Sequence, residues 1–372
     1  LKIAVVVPGG VDRSGEVRVI PALLALLRRL AARNEVHVFA LWQQAEPGEW
    51  PLLGTQVHNI GKRAGLPTQL RAIAALRREH RRGRFDLVQS IWSGACGTVA
   101  VLAAKSLGLH CAVHVAGGEL VALADIGYGG RLGWRGRLRE AWVLGRADAL
   151  TAASRPTLDQ LAALGHVARR LPLGVDLDLW PPRPPRRREP GAALRLVHVA
   201  SLNRVKDQAC LLRAFAELRR QGVDAELDIV GEDTLGGEVQ ALAVALGVAD
   251  QVRFRGFLTQ AALQAVLAEA HLHVLTSRHE TGPLAVLEAA VLGVPSVGTA
   301  VGHLAEWAPA AALVVAPGNA EGLAAVLARV ASDEALRLSL AAEAQRRAVA
   351  EDADQTHRLF AQLHEELVCA GS

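Results

Sequence analysis

Pro181-Pro182-Arg183-Pro184-Pro185-Arg186-Arg187-Arg188, followed by Leu194-Arg195-Leu196-Val197-His198-Val199, is the stretch that divides the chain. Five residues between 181 and 190 are prolines without a backbone donor, and the arginines favour water, so neither a helix nor a central strand continues through this segment. Residues 179–193 are read as a linker, with a domain at 1–178 before it and another at 194–351 after it. The β-branched run at 194 restarts a pattern already present upstream. There, Ile3–Val7, Glu35–Ala40, Asp86–Trp92, His110–Ala116 and Ala147–Ala153 read as strands, with amphipathic stretches such as Val17–Arg33 between them. Downstream, Ala225–Val230, Gln251–Phe254, Leu272–Leu275, Val294–Val297 and Leu313–Val315 continue the alternation, and only helical sequence follows residue 319. Strand and helix in alternation build a parallel sheet covered on both faces, so the fold class is α/β, with two doubly wound, Rossmann-like domains in tandem. Such domains bind ligands beyond the carboxyl ends of their strands, and two of them facing each other would form a cleft.

Composition agrees with a folded enzyme-sized protein. The 372 residues suggest two or three globular units, and 51% hydrophobic against 21% charged residues disfavours global disorder. A net charge of +4 is too small an excess to indicate nucleic acid. Cys96, Cys111, Cys210 and Cys369 are widely spaced, which argues against a zinc ribbon or disulfide framework and for a reducing, cytoplasmic setting. No apolar run is long enough for a membrane span, and Ile3–Val7 is too short for a signal peptide.

The chemistry is expected around Leu275-Thr276-Ser277-Arg278-His279-Glu280-Thr281-Gly282-Pro283-Leu284-Ala285-Val286-Leu287-Glu288-Ala289-Ala290, a strand-to-helix junction. Pro283 suits the first helical turn, which leaves Glu280 in the loop and Glu288 about one and a half turns inside the helix. Free amides at the helix start favour phosphate, and two nearby acids can accept hydrogen bonds from sugar hydroxyls. A helix-start acid and a solvated helical glutamate would show the same spacing.

The segment resembles the signature of retaining glycosyltransferases of family four, which place two glutamates with seven residues between them. Ser277, Glu280, Gly282, Leu284, Glu288, Ala289, Gly293-Val294-Pro295, Gly302 and Glu306 match that pattern in order. The resemblance implies a GT-B architecture and an enzyme that moves a hexose or related sugar from a nucleoside diphosphate carrier to an acceptor hydroxyl with retention. Glu280 would then contact the transferred sugar and Glu288 the ribose, while amides from Thr281, Gly282, Pro283 and Leu284 face the diphosphate and sugar. In Val199-Ala200-Ser201-Leu202-Asn203-Arg204-Val205-Lys206-Asp207, Lys206 falls where the family places a lysine on the diphosphate. A cation there offsets charge as the sugar–phosphate bond breaks. The family's usual Gly-Arg-Leu is Ala200-Ser201-Leu202 here, so Arg204, beside Asn203, is the candidate second cation.

Further matches extend along the chain. Gly174–Asp178 resembles the segment closing the first domain, and Val230-Gly231-Glu232 and Arg255-Gly256-Phe257-Leu258 resemble two later loops, with Leu258 near the nucleobase in relatives. Pro8-Gly9-Gly10-Val11-Asp12-Arg13-Ser14-Gly15 looks like the family's N-terminal glycine loop; Gly9, Gly10 and Gly15 would let backbone approach donor or acceptor. In His114-Val115-Ala116-Gly117-Gly118-Glu119 the family's histidine before the first glycine is replaced by Ala116. His114, two residues earlier on the same strand face, is the candidate catalytic substitute, with a core histidine as the competing reading. Glu119 and Gly118 are expected on the acceptor side. The last helix, within 352–372, would cross back onto the first domain. No metal or cofactor is expected beyond the donor itself.

The residues specify neither sugar nor acceptor; a UDP- or GDP-linked sugar is the expected donor. Two basic stretches, 77–84 and 131–139, read as solvated helix faces, or as peripheral contacts on the inner face of the cell membrane that would suit a lipid-linked acceptor. A dehydrogenase is disfavoured because no Gly-x-Gly-x-x-Gly follows the first strand of either half. A glycosidase needs two carboxylates but no diphosphate-binding helix start. A nucleotide-sugar epimerase of the same architecture and a non-catalytic nucleotide-sugar-binding relative stay open as alternatives.

Overall fold

The computed structural model describes residues 1–62 and 66–369, which divide into two compact units, 1–174 with 353–369, and 175–352. In the first unit β1 (Lys2–Val7), α1 (Pro21–Ala31), β2 (Glu35–Ala40), β3 (Gly48–Leu52), β4 (Thr55–Asn59), α2 (Leu66–Arg82), β5 (Leu87–Ile91), α3 (Thr98–Leu107), β6 (His110–Val115), α4 (Trp134–Leu144), β7 (Ala149–Ala152), α5 (Arg155–Ala163) and β8 (Arg169–Arg170) follow in order. They form one eight-stranded sheet, β3-β4-β2-β1-β5-β6-β7-β8, parallel except for the β3–β4 hairpin. The amphipathic stretch from Val17 begins as a helix only at Pro21, because Ile20 is extended and proline supplies the preset φ of a first helical residue. Leu23, Leu24, Leu26, Leu27 and Leu30 of α1 are buried on the sheet. Burial of side chains this size stabilises by roughly 1.5–3 kcal/mol each.

The second unit holds β9 (Leu194–Val199), α6 (Gln208–Arg220), β10 (Ala225–Val230), α7 (Glu238–Ala245), β11 (Val252–Gly256), α8 (Gln260–Glu269), β12 (Leu272–Leu275), α9 (Leu284–Val291), β13 (Ser296–Thr299), α10 (Gly302–Trp307), β14 (Ala312–Val315), α11 (Ala320–Ser332) and α12 (Glu334–Ala350). Its sheet runs β11-β10-β9-β12-β13-β14, all parallel. The order reverses at β9, so the loops leaving β9 and β12 lie side by side at the carboxyl edge, where ligands bind in doubly wound sheets. The expected strand at Val294–Val297 begins at Ser296, because Pro295 lacks a donor and the preceding Gly293 has φ +74° and turns the chain.

The Pro/Arg-rich stretch differs from the expected linker. It packs on the second unit as a strap: the Arg183 amide donates to Val291 O at 3.1 Å, the Arg188 amide to Glu334 Oε1 at 2.8 Å, and the Arg337 guanidinium to Arg186 O at 2.5 Å. Prolines remove donors, and two of those that remain, the Arg183 and Arg188 amides, bond to the end of α9 and to a side chain at the start of α12. The boundary accordingly falls at 174/175, not at 178. After α12 the chain returns to the first unit as α13 (Ala353–Cys369), while residues 370–372 of the expected last helix lie outside the described residues. Thr356 accepts from the Gly174 amide and donates to Pro172 O, both at 2.8 Å, and Phe360 and Leu363 join the core around α1 and β1.

Candidate active site

The loop between β12 and α9 brings Glu280 to the loop that leaves β9. Pro283 stands one residue before the helix as its extended cap, and Leu284 is the first helical residue, so Glu280 belongs to the loop and Glu288 to the second turn. Lys206 Nζ lies 2.5 Å from Glu280 Oε1, and Ser277 Oγ donates to the same oxygen at 2.6 Å. Both partners of the ion pair are largely shielded, with side chains 25% and 12% exposed. Two hydrogen bonds tie the loops together: the Thr276 hydroxyl donates to Lys206 O at 2.9 Å and the Arg278 amide donates to Val205 O at 2.7 Å. Asn203 accepts from the Lys206 amide, while Asp207, at φ +49°, caps α6 through the Cys210 amide.

Glycine at two points makes this packing feasible. A Cβ on Gly298 would stand 1.8 Å from Leu275 O, and one on Gly302, at φ +49°, would stand 2.8 Å from Pro283 Cδ and 3.1 Å from Glu280 Cβ. Glu288 is buried at 7% exposure with no side-chain hydrogen bond among the described residues, and burial pushes its carboxyl up to about 7. Thr281 is buried as well, and Leu258, half-buried, packs against the core cluster that contains α9. The second unit thus gathers Asn203, Lys206, Glu280, Thr281, Gly282, Pro283, Leu284 and Glu288 on two adjoining strand-to-helix loops and the start of α9.

Arg204 departs from expectation. Its side chain is 60% exposed and forms an ion pair with Glu238 at 3.2 Å, which holds it as a surface partner of α7. In the first unit, the Gly9-Gly10 loop is held by Gln43, whose Oε1 accepts from the Val11 amide at 2.9 Å, and by the Ile20 amide donating to Gly10 O at 3.0 Å. A Cβ on Gly10 would strike Ile20 Cδ1 at 2.5 Å, so this glycine serves close packing, whereas one on Gly15, at φ +70°, would meet only Leu52 Cδ1 at 4.0 Å.

His114 requires correction as a catalytic candidate. It is fully buried on β6, with Nδ1 2.9 Å from Thr151 Oγ1 and its ring against Phe360 of α13; burial drives its pKa down to about 3. The strand face that carries it is the one that α13 covers, so the competing core reading holds. Glu119 also faces inward: it accepts from the Ser93 amide at 3.0 Å and the Gly117 amide at 2.6 Å, clamping the loop after β6. Burial raises its carboxyl, and neighbouring Glu140 adds to the effect. Gly118 is required by Tyr128, whose ring atoms would lie 2.5 Å from an added Cβ. Sequence reasoning missed Glu140, which receives the Ser93 hydroxyl at 2.7 Å, and Trp92, held at φ +78° before the wide turn Ser93–Gly97. No spacing signal marks either one.

The arrangement places this chain with the nucleotide-sugar glycosyltransferases of GT-B architecture. Residues 22–179 match the family described as Glycosyltransferase Family 4 and residues 184–347 that described as Glycosyl transferases group 1; the chain belongs to this glycosyltransferase family. It is 33% identical to D-inositol 3-phosphate glycosyltransferase of Actinosynnema mirum, an alignment covering 91% of this chain and 88% of that protein. Several other curated relatives are matched over only 46–48% of their own length. Among solved structures, sucrose-phosphate synthase of Thermosynechococcus elongatus superposes with a TM-score of 0.82 at 19% identity, covering 99% of both chains. Anabaena HepE, solved in complex with UDP and glucose, gives 0.75 at 17% identity, covering 98% of this chain and 100% of that one.

Proposed function

We propose that the chain transfers a hexose or related sugar from a UDP- or GDP-linked donor to an acceptor hydroxyl with retention of anomeric configuration. The observation that carries this reading is the Lys206–Glu280 ion pair beside the start of α9, with a buried, unbonded Glu288 one turn further on. Lys206 binds the diphosphate and offsets the charge that develops as the sugar–phosphate bond breaks, aided by amides between Thr281 and Leu284. Glu280, released from Lys206, accepts hydrogen bonds from the sugar, and Glu288 accepts from the ribose. The acceptor hydroxyl attacks on the face the diphosphate leaves and gives its proton to that phosphate. Neither step draws on a metal. The UDP and glucose named for HepE support this donor class. Incubation with a panel of nucleotide sugars and candidate acceptors, followed by nucleotide release and by NMR of the product's anomeric configuration, tests the proposal. Product of inverted configuration, or an altered donor sugar without transfer, would overturn it.

Membrane contact is proposed through the second basic stretch only. Leu132, Trp134 and Leu138 are 40%, 61% and 61% exposed among Arg131, Arg135, Arg137 and Arg139, an apolar and cationic surface suited to the anionic cytoplasmic leaflet. In the first stretch, which shows no such exposed apolar cluster, Arg78 and Arg82 pair with Glu79 and Arg77 donates to Ser106; in the second, Arg139 pairs with Glu140. Among the described residues no helix is long and apolar enough to cross a membrane.

A further inference from the structure

We propose that His37, His58 and Glu79 of the first unit form a binding site for a divalent transition-metal ion of the zinc type, distinct from the residues assigned to transfer. The three come from different elements, β2, β4 and α2, and one ligand atom of each lies within 4.8 Å of those of the other two. Sheet register accounts for the convergence. Phe39 pairs with His58, and His37 lies two residues before Phe39, so both histidines project from one face of neighbouring strands. Glu49 of β3 is directly opposite His58, and Glu35 is two residues before His37, which adds two carboxylates to the same face. Helix α2 covers that face and turns Glu79, 5% exposed, toward the rings.

The hydrogen bonds identify the nitrogens that would hold an ion. His37 Nε2 is 3.0 Å from Glu35 Oε1, and His58 Nδ1 is 3.0 Å from Glu49 Oε1. Ionised carboxylates only accept, so both outer nitrogens carry hydrogen. The inner nitrogens, His37 Nδ1 and His58 Nε2, stand 2.9 Å apart. In neutral rings both inner nitrogens are lone pairs, and two lone pairs at that distance require a positive charge against them. A carboxylate behind each ligating imidazole is the outer support that metal-bound histidines use to fix ring orientation and raise basicity. The rings lie nearly coplanar, 9° apart with centroids at 5.2 Å, so tetrahedral zinc with bonds of ~2.0–2.1 Å would separate the two nitrogens to about 3.3 Å and turn each ring by roughly 30°. Phe39, stacked on His58 at 4.8 Å, and Phe85, edge-on to His37 at 5.4 Å, flank the two rings.

A proton shared between the rings is the rival occupant. Lys2 pairs with Glu35 at 2.7 Å, while Arg78 and Arg82 hold Glu79 and Arg78 also reaches Glu49, so the carboxylates are already oriented. A groove of about 630 Å³ lined by Glu49, His58, Asn59, Arg71 and Arg78 opens onto His58 and gives an ion access. Water would complete the coordination.

The test uses the full chain stripped with chelator. Zinc titrated against a chromophoric competitor is expected to bind at one equivalent, raise the melting temperature, and be replaced by cobalt with visible bands of tetrahedral strength. His37→Gln is expected to lower affinity well over the ~10–100-fold that loss of an outer carboxylate costs, and Glu49→Gln, at an exposed side chain, to lower it by about 10–100-fold. Should His37→Gln fail to fold, Glu49→Gln alone decides. Failure of the wild type to take up one equivalent of zinc would overturn the site, as would uptake unchanged in the variants.

Discussion

Lys206 Nζ is held 2.5 Å from Glu280 Oε1 by loops that leave two neighbouring strands, β9 and β12. In this arrangement each group occupies the other, and on the proposed reading a diphosphate donor would separate them, phosphate taking the lysine and sugar hydroxyls the acid. This competition gives the two residues opposite signatures in binding.

Glu280→Ala frees Lys206 for phosphate. The variant is expected to bind the nucleoside diphosphate as tightly as wild type or tighter, while transfer falls by about 10²-fold, the order of loss when the reacting sugar is misplaced by about 1 Å. Lys206→Ala should lose both binding and transfer. Calorimetric titration with UDP and GDP, run beside an activity assay, checks the split, and a fall in nucleotide affinity for Glu280→Ala would refute it.

Gly302 controls where Glu280 sits. An alanine there would place Cβ 2.8 Å from Pro283 Cδ and 3.1 Å from Glu280 Cβ at a φ of +49°. Gly318, at φ +79° with nothing within 4 Å, supplies the control for backbone strain alone. Both alanine variants should lose about 1–2 kcal/mol of stability to the left-handed conformation. Only Gly302→Ala should also lose most of the transfer activity; equal activity in the two variants would detach this glycine from the site.

Most of the architecture was legible because buried parallel strands are short β-branched runs that stand out from Ala- and Leu-rich helices. Glu35–Ala40, Leu194–Val199, Ala225–Val230 and Leu272–Leu275 are strands over the very residues expected. The β3–β4 hairpin went unread. Its two-residue turn uses Leu53 at φ +48° before Gly54 at φ +82°, so the usual Asn-Gly or Asp-Gly signal is missing, and Pro51 interrupts a strand that tolerates it only at the sheet edge. Glu280 and Lys206 were singled out by the family resemblance, and the fold brings their side chains within 2.5 Å of each other. The burial of His114 was not legible, since a strand histidine looks the same from the sequence whether its face meets ligand or the returning helix α13.

Glu288 should give the protein a distinctive pH dependence. Its carboxyl sits near pH 7 in the folded state against 4.5 for the ordinary side chain, because burial disfavours the charged form. A group that holds its proton more tightly when folded favours folding while protonated. That contribution is whole below about pH 4.5 and is lost as the pH rises to about 7, amounting to about 3 kcal/mol. Glu288→Gln lacks this loss, so its stability relative to wild type should rise between pH 5 and pH 8. Denaturant midpoints of the two proteins measured at both values decide the matter, and a constant difference would place the carboxyl elsewhere on the pH scale.

The exposed apolar residues of α4 lead to a prediction that separates membrane contact from folding. Trp134 and Leu138 are each 61% exposed, so Trp134→Ser with Leu138→Ser should leave the melting temperature within about 2 °C of wild type, as expected for surface changes. If these side chains insert beside Arg131, Arg135, Arg137 and Arg139, wild type should float with anionic vesicles at low salt and be released as salt screens the arginines. The double variant should retain salt-dependent attraction but float far less, because the arginines remain while the apolar anchor is gone. Flotation that is the same on anionic and neutral vesicles, or unchanged by the two serines, would remove this surface from membrane binding and return 131–139 to the role of a solvated helix start.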